Sequence, residues 1–162
     1  MNDMLVKLYN LPPVLPYLEQ MARVGIEIRR ALPPEKHLVL EFVRKHFQQR
    51  WADETDVAFM RQPVSCFIAL RKDKLLGFAD YDATCRAFFG PTGVDEKERG
   101  KGIGKALLFA ALHGLREQGY GYGIIGSAEV PEFYAKTVGA TVIPDSSPGI
   151  FRGMLLAPGD KL

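Results

Sequence analysis

The chain has 162 residues, enough for one domain with a real hydrophobic core and too few for a TIM barrel. Its 47% hydrophobic and 25% charged residues exclude disorder, and 21 Lys plus Arg against 19 Asp plus Glu leave no basic field of the kind nucleic acid binding requires. Two Cys exclude a disulfide scaffold, and no apolar run reaches the roughly 18 residues of a membrane span. The start Met1-Asn2-Asp3-Met4 lacks a signal-peptide pattern, so a cytoplasmic location is expected, with no nucleic acid and no membrane as partner.

In chain order, Leu5 to Leu11 reads as a strand broken by Pro12-Pro13, and Val14 to Arg23 as a short helix that tolerates Pro16 near its first turn. Ile26 to Arg30 alternates as a strand does. Pro33-Pro34 opens a helix to about Gln48 with Leu38, Val39, Phe42, Val43 and Phe47 on its buried stripe, and Trp51 to Arg61 reads as a second helix. Val64 to Leu70 and Leu75 to Tyr81 form a hairpin around Arg71–Lys74. Cys85 to Gly90 starts a strand that bends at Gly90-Pro91 and resumes toward Val94. A helix from Gly102 to Gln118 follows, ended by Gly119. Tyr122 to Ala128 reads as a strand and Pro131 to Lys136 as a helix. Gly139 to Ile143 and Ile150 to Leu156 read as a closing strand pair. This order predicts an α/β fold, a mixed sheet with helices packed on it, rather than a doubly wound parallel one.

The most informative stretch is the glycine-rich turn Arg99-Gly100-Lys101-Gly102-Ile103-Gly104-Lys105, entered by a strand and left by an amphipathic helix. Small residues admit a ligand close to the backbone. The first amides of a helix lack internal partners and sit at the positive end of its dipole, which suits a phosphate or pyrophosphate. Arg99, Lys101 and Lys105 add charge around it. Two other phosphate motifs fail. A P-loop requires Ser or Thr where Ala106 stands and Gly where Arg99 stands, and the dinucleotide pattern requires Gly where Lys105 stands. Gly121, Gly123 and Gly126 match that pattern, but inside an expected strand. A plain helix-start loop is the structural alternative.

The run Arg99-x-x-Gly102-x-Gly104, between the strand ending at Val94 and the apolar helix, resembles the acetyl-CoA signature of the GCN5-related N-acetyltransferase family. The similarity extends over most of Ile26 to Leu156. It implies a GNAT-like, mostly antiparallel sheet with helices on both faces and a V-shaped strand splay. It implies acetyl-CoA as the acyl donor, with its pyrophosphate cradled by Arg99, Gly100, Lys101, Gly102, Ile103, Gly104 and Lys105. Val94 then offers backbone groups to pantetheine. The segment Pro131-Glu-Phe-Tyr134-Ala-Lys136-Thr-Val-Gly139-Ala140 resembles a second family segment, in which Tyr134 falls near the CoA sulfur and protonates the leaving thiolate. One extra residue before Gly139 and Ala140 in place of Phe depart from the pattern, and Ser127 stands where the family usually has Asn. The resemblance assigns residues 26–162 to one acetyltransferase domain and leaves residues 1–25 as an N-terminal extension. The extension is expected to add an edge strand and a covering helix, which can protect an edge, cap the site or form a homodimer surface.

Acetyl transfer to an amine requires loss of an amine proton, a polarised thioester carbonyl and a stabilised leaving thiolate. The resemblance implies direct attack in a ternary complex. The sequence offers Glu129, Asp80 and Asp82 as carboxylates for the amine, with Asp80 and Asp82 on one strand face opposite Tyr81. His37, His46 and His113 read as packing or surface residues, and Cys66 and Cys85 as packing thiols. No Cys or His spacing forms a zinc pattern, so no metal is expected. Trp51, Phe59 and Tyr81 are candidates for an apolar acceptor wall, and Arg61 and Arg86 for anion contacts. The expected function is acetylation of a small-molecule amine, with a protein or peptide amine, or an inactive acyl-CoA sensor, as alternatives.

Overall fold

A computed structural model of the chain describes residues 1–156 and 158; the rest of the expected domain, residues 157 and 159–162, lies outside it. The expected N-terminal strand is β1, Met4–Lys7, and stops short of Leu11 because Leu8–Asn10 coil into a 3-10 turn, Leu11 N–H bonding back to the Leu8 carbonyl at 3.3 Å. Helix α1 is Leu15–Arg23, with Pro16 in the first turn where no amide partner is lost. Strand β2 is Glu27–Arg30. Pro33–Glu35 form a 3-10 turn, then α2 runs Lys36–His46 and α3 runs Gln49–Ala58, so the chain breaks at Phe47-Gln48. Strands β3 (Cys66–Arg71) and β4 (Lys74–Tyr81) form the expected hairpin. Strand β5 is Phe88–Val94. It starts later than the sequence predicts, because Asp82 Oδ1 accepts the Ala87 amide at 2.6 Å and holds the preceding residues in a loop. Helix α4 is Ile103–Glu117, β6 Tyr122–Ile125, α5 Pro131–Val138 and β7 Thr141–Val142.

All seven strands form one sheet in the order β2-β3-β4-β5-β6-β1-β7. Every pairing is antiparallel except β5 with β6. Two expectations are corrected. Strand β1 is not at an edge: it pairs with β6 (Met4↔Ile125) and with β7 (Met4↔Val142). Two-sided pairing satisfies the backbone of a four-residue strand, whose Met4 and Val6 point into the core. The closing strand pair does not form either. Residues 141–142 take β1 as partner, and Gly149–Phe151 form a 3-10 turn where a strand over Ile150 to Leu156 was expected.

The sheet carries a hydrophobic core on each face. One joins α1 and α4 to the sheet through Met21, Leu107, Leu112 and Tyr81, with Tyr17 stacked on Phe109 at 4.1 Å. Sheet on one side and α1 on the other explain why α4 is buried along ten of its fifteen residues. The second core joins α2 and α3 to the opposite face through Val43, Ala58, Ile68 and Phe78.

The position of the site follows from one pairing. Strands β5 and β6 meet only at Phe88↔Ile124 and Phe89↔Ile125. Beyond that, β6 ends while β5 continues to Val94 beside β4. Pro91, which has no amide to donate, sits at the start of the unpaired stretch. The two parallel strands therefore open into a wedge.

Candidate active site

The mouth of α4 forms one end of the wedge. Gly102 has φ 87°, a left-handed backbone that suits glycine, and precedes the helix. The first helical bond runs from Ala106 N–H to the Gly102 carbonyl at 3.1 Å, which leaves the amides of Ile103, Gly104 and Lys105 without intrahelical partners. The turn before it is held by charge. Glu98 accepts from Lys101 Nζ (2.9 Å) and Arg71 Nη1 (3.1 Å), and the Lys101 ammonium beside it holds its carboxyl below the usual range. Lys101 is thus committed to Glu98, and Lys105 Nζ lies 5.2 Å over the Tyr17 ring. Of the three expected basic side chains, Arg99 is the one that lines the cleft. Its Nε donates to the Val94 carbonyl at 3.2 Å.

From this mouth a cavity of about 730 Å³ runs past Val94, Gly104, Leu108 and Phe133 to Tyr134. A second cavity of about 260 Å³ lies beyond, lined by Arg50, Glu54, Thr84, Phe88, Ser127 and Phe151. The two share Trp51, Phe89, Thr92, Glu129, Val130 and Tyr134. The wedge is therefore a two-chamber channel with Tyr134 at the junction.

Tyr134 is carried into the wedge by α5, which Gly139 ends in a left-handed cap (φ 63°). Its ring packs edge-on against Phe89 at 6.3 Å. Burial, with a smaller contribution from Glu129, pushes its hydroxyl up to about 12, so it remains a proton-bearing donor at any ordinary pH. Glu129 is exposed at the junction. Ser127 lies on the wall of the smaller chamber with φ 45°, its amide held by Asp3 Oδ1 at 2.8 Å. The residue just before β1 thus supports the loop that shapes this end of the channel.

Asp80 is not in the channel. Strand alternation turns it away from Tyr81, as the sequence predicts, but that face is covered by α3. Asp80 is fully buried and lines neither chamber; Oδ2 accepts from the Thr55 hydroxyl at 2.7 Å and, among the described residues, Oδ1 has no hydrogen-bond partner. Asp82 is likewise spent on the loop, accepting from Ala87 and pairing with Arg86. Burial raises the Asp80 carboxyl from 3.8 to about 7, so the native state binds the proton more tightly than the unfolded chain. Its penalty on stability is absent below the lower value, grows as pH rises and is complete above the upper one, at most roughly 4 kcal/mol at about 1.4 per unit. Asp80→Asn should therefore be more stable than the parent in denaturant at pH 8. The stability gained over the parent should grow between pH 4 and 8; parallel pH profiles would contradict this assignment.

The other candidates have structural places. Cys66 faces Asp80 across the hairpin, and burial pushes its thiol well up, away from reactivity. Cys85 is half-buried in the loop before β5. Trp51 lines both chambers, whereas Phe59 and Tyr81 belong to the two cores. Arg61 donates to the Asp82 carbonyl, and His113 meets the Pro12 carbonyl at 2.8 Å. Among the described residues no group of three His, Cys, Asp or Glu is placed to hold a metal ion, and no helix is long and apolar enough to cross a membrane.

One channel residue, Glu54 on α3, was not singled out from sequence. Its neighbours Asp53 and Asp56 carry the same charge, so the run marks a solvated helix face. The available signal was helical spacing, which puts Glu54 one turn from Trp51. Glu54 is half-buried; burial raises its carboxyl, and the Thr84 hydroxyl, donating at 2.9 Å, pulls it back.

A family model for the acetyltransferase (GNAT) family matches residues 26–139, well over half of the chain. The chain belongs to this family. Among curated proteins, a mycothiol acetyltransferase of Thermobispora bispora is 33% identical over 54% of the chain. Among solved structures, a GCN5-related glucosamine N-acetyltransferase region of a fungal multi-domain GH3 β-N-acetylglucosaminidase superposes with a TM-score of 0.71 at 17% identity over 88% of the chain. A GCN5-related N-acetyltransferase from Sphaerobacter thermophilus gives 0.67 at 22% identity over 88%. The chain spans 29%, 19% and 48% of these three relatives, respectively. The GNAT match begins at Ile26, although β1 lies inside the sheet, and it ends at Gly139, where the expected closing pair begins.

Proposed function

We propose that the chain transfers the acetyl group of acetyl-CoA to the amine of a small molecule, by direct attack with both substrates bound. The observation that carries this reading is the cavity that runs from the mouth of α4, at Arg99 and Gly104, to Tyr134. A pyrophosphate at that mouth meets three N–H donors without intrahelical partners and the positive end of a fifteen-residue helix. The larger chamber then leads the pantetheine arm along β5 to the junction.

At the junction the chemistry needs little more than placement. The acceptor enters through the smaller chamber, whose volume of about 260 Å³ favours a small molecule over a folded chain. The neutral amine attacks the thioester carbonyl carbon, the C–N bond forms, and the C–S bond breaks. Tyr134 donates a hydrogen bond to the departing thiolate. Because its hydroxyl is a weaker acid than an ordinary thiol at about 8.5, it passes a proton on as it receives the one leaving the new amide nitrogen. Among the relatives, a mycothiol acetyltransferase agrees with an acetyl-transfer role.

Calorimetry with acetyl-CoA and a thiol-release assay over small amines, amino sugars and lysine peptides test the reading. The expected result is saturable acetyl-CoA binding and turnover with small amines. Binding without turnover across the panel would instead mark an acyl-CoA sensor, and turnover confined to peptides would move the acceptor class.

A further inference from the structure

We propose that Glu54 is the acceptor-side base of this site, and that the smaller chamber takes a primary amine carrying an aromatic or alkyl body. The inference rests on the acetyltransferase reading above and names the residue and substrate class that reading leaves open.

The chamber is built for such a cation. Trp51, Phe88, Phe89 and Phe151 supply aromatic surface, and Trp51 is held by stacking on Phe47 at 5.2 Å. An ammonium group gains from an indole face as well as from a carboxylate. Glu54 stands on the same wall as Trp51, one helical turn along α3. Thr84 fixes Oε1 with a 2.9 Å hydrogen bond, and among the described residues Oε2 has no hydrogen-bond partner. A carboxylate with one oxygen clamped and the other free is set to accept from an ammonium.

Glu54 also has the right surroundings for a base. Burial raises its proton affinity and the like charge of Asp53 adds to this, while the Thr84 hydrogen bond and Arg50 act against it; the net direction is upward, toward a group that exchanges protons more readily than an exposed carboxylate. The charged groups around it are Arg50 and Asp53 on its own helix, Asp80 beneath it on β4, Glu129 on the chamber wall, and the N-terminal ammonium of Met1, which also lines the chamber and donates to Ser147 Oγ at 3.2 Å. Arg50 donates to Gln48 Oε1 at 3.1 Å. Asp80 is sealed under α3 and Glu129 is exposed, which leaves Glu54 as the half-buried carboxylate on the chamber wall.

The step balances without a further reagent. The bound RNH3+ gives one proton to the Glu54 carboxylate, and the neutral amine attacks. After the C–N bond forms and the C–S bond breaks, the second nitrogen proton goes to the thiolate by way of Tyr134. The products are the amide and free thiol, and Glu54 returns its proton to solvent.

The test uses 2-phenylethylamine, benzylamine, n-hexylamine and tyramine as probes, the full chain, and the variants Glu54→Gln, Thr84→Val and Glu129→Gln. Glu54→Gln should bind acetyl-CoA as the parent does, lose about a hundredfold in kcat/KM for the best amine, and lose the acid limb of its pH profile. Thr84→Val removes a hydrogen bond to the carboxylate and should move that limb to higher pH. An unchanged rate and limb in Glu54→Gln, or loss of the limb in Glu129→Gln instead, would overturn the assignment. Acetyl-CoA binding with no turnover of any of the four amines would overturn the substrate class. Failure of the parent to bind acetyl-CoA would overturn the underlying reading, and this inference with it.

Discussion

Gly104→Ala is expected to make the free protein more stable and its complex with acetyl-CoA weaker. Gly104 lies in the first turn of α4 with ordinary helical geometry, and an added Cβ would meet nothing closer than Val94 Cγ2 at 3.7 Å. The free protein therefore takes the methyl without strain and gains about 0.5–1 kcal/mol from the lost flexibility of glycine. The same methyl is added at a residue that lines the larger chamber, in the turn whose amides have no partner among the described residues. A ligand that needs the backbone at hydrogen-bond distance is pushed away, and a tenfold loss of affinity, about 1.4 kcal/mol, is the expected scale. Denaturant unfolding and calorimetry read the two effects separately. Gly102 is a poorer probe: its φ of 87° and Met21 Cε at 3.3 Å from a new Cβ would strain the fold and the site together. An unchanged dissociation constant in Gly104→Ala would show that the ligand does not come within contact of the backbone at Gly104, and would count against the proposed phosphate site.

Tyr134→Phe is expected to lower turnover about a hundredfold while leaving acetyl-CoA binding close to normal. The ring remains, so the edge-on contact with Phe89 and the packing of α5 are kept. What is lost is the hydroxyl of a residue that lines both chambers. Because burial pushes that hydroxyl up to about 12, the parent should show no loss of activity from Tyr134 ionisation across the neutral and mildly alkaline range. Steady-state rates by thiol release and single-turnover rates by quenched flow separate the chemical step from product release. A variant with parental single-turnover rate would show that solvent, not Tyr134, serves the leaving thiolate.

Where the outcome depended on neighbours in the chain, it was legible in advance. The β3–β4 hairpin, the apolar stripe of α4, the glycines before it and the short helix carrying Tyr134 stand where spacing and turn chemistry put them. A helix start and its unpaired amides are local properties, set by a few consecutive backbone angles. The wedge was legible only through the family resemblance, since no residue pattern announces that β5 and β6 part after two paired positions.

The placements that went otherwise are all questions of partner. Alternation correctly set Asp80 opposite Tyr81, but period two cannot say which face meets ligand and which meets α3, and the packing of the second core gave Asp80 to the interior. Lys101 and Lys105 have the charge for a phosphate, yet Glu98 and the Tyr17 ring hold them. Glu54 looks like its acidic neighbours until α3 is laid over the sheet beside Thr84. Strand β1 found its two partners more than a hundred residues away, taking residues 141–142 from the segment expected to close the sheet. Periodicity and turn residues describe the chain one element at a time. Which elements share a sheet, and which side chains then face one cavity, depend on burial and pairing energies summed over segments far apart in sequence, and these are settled when the chain packs.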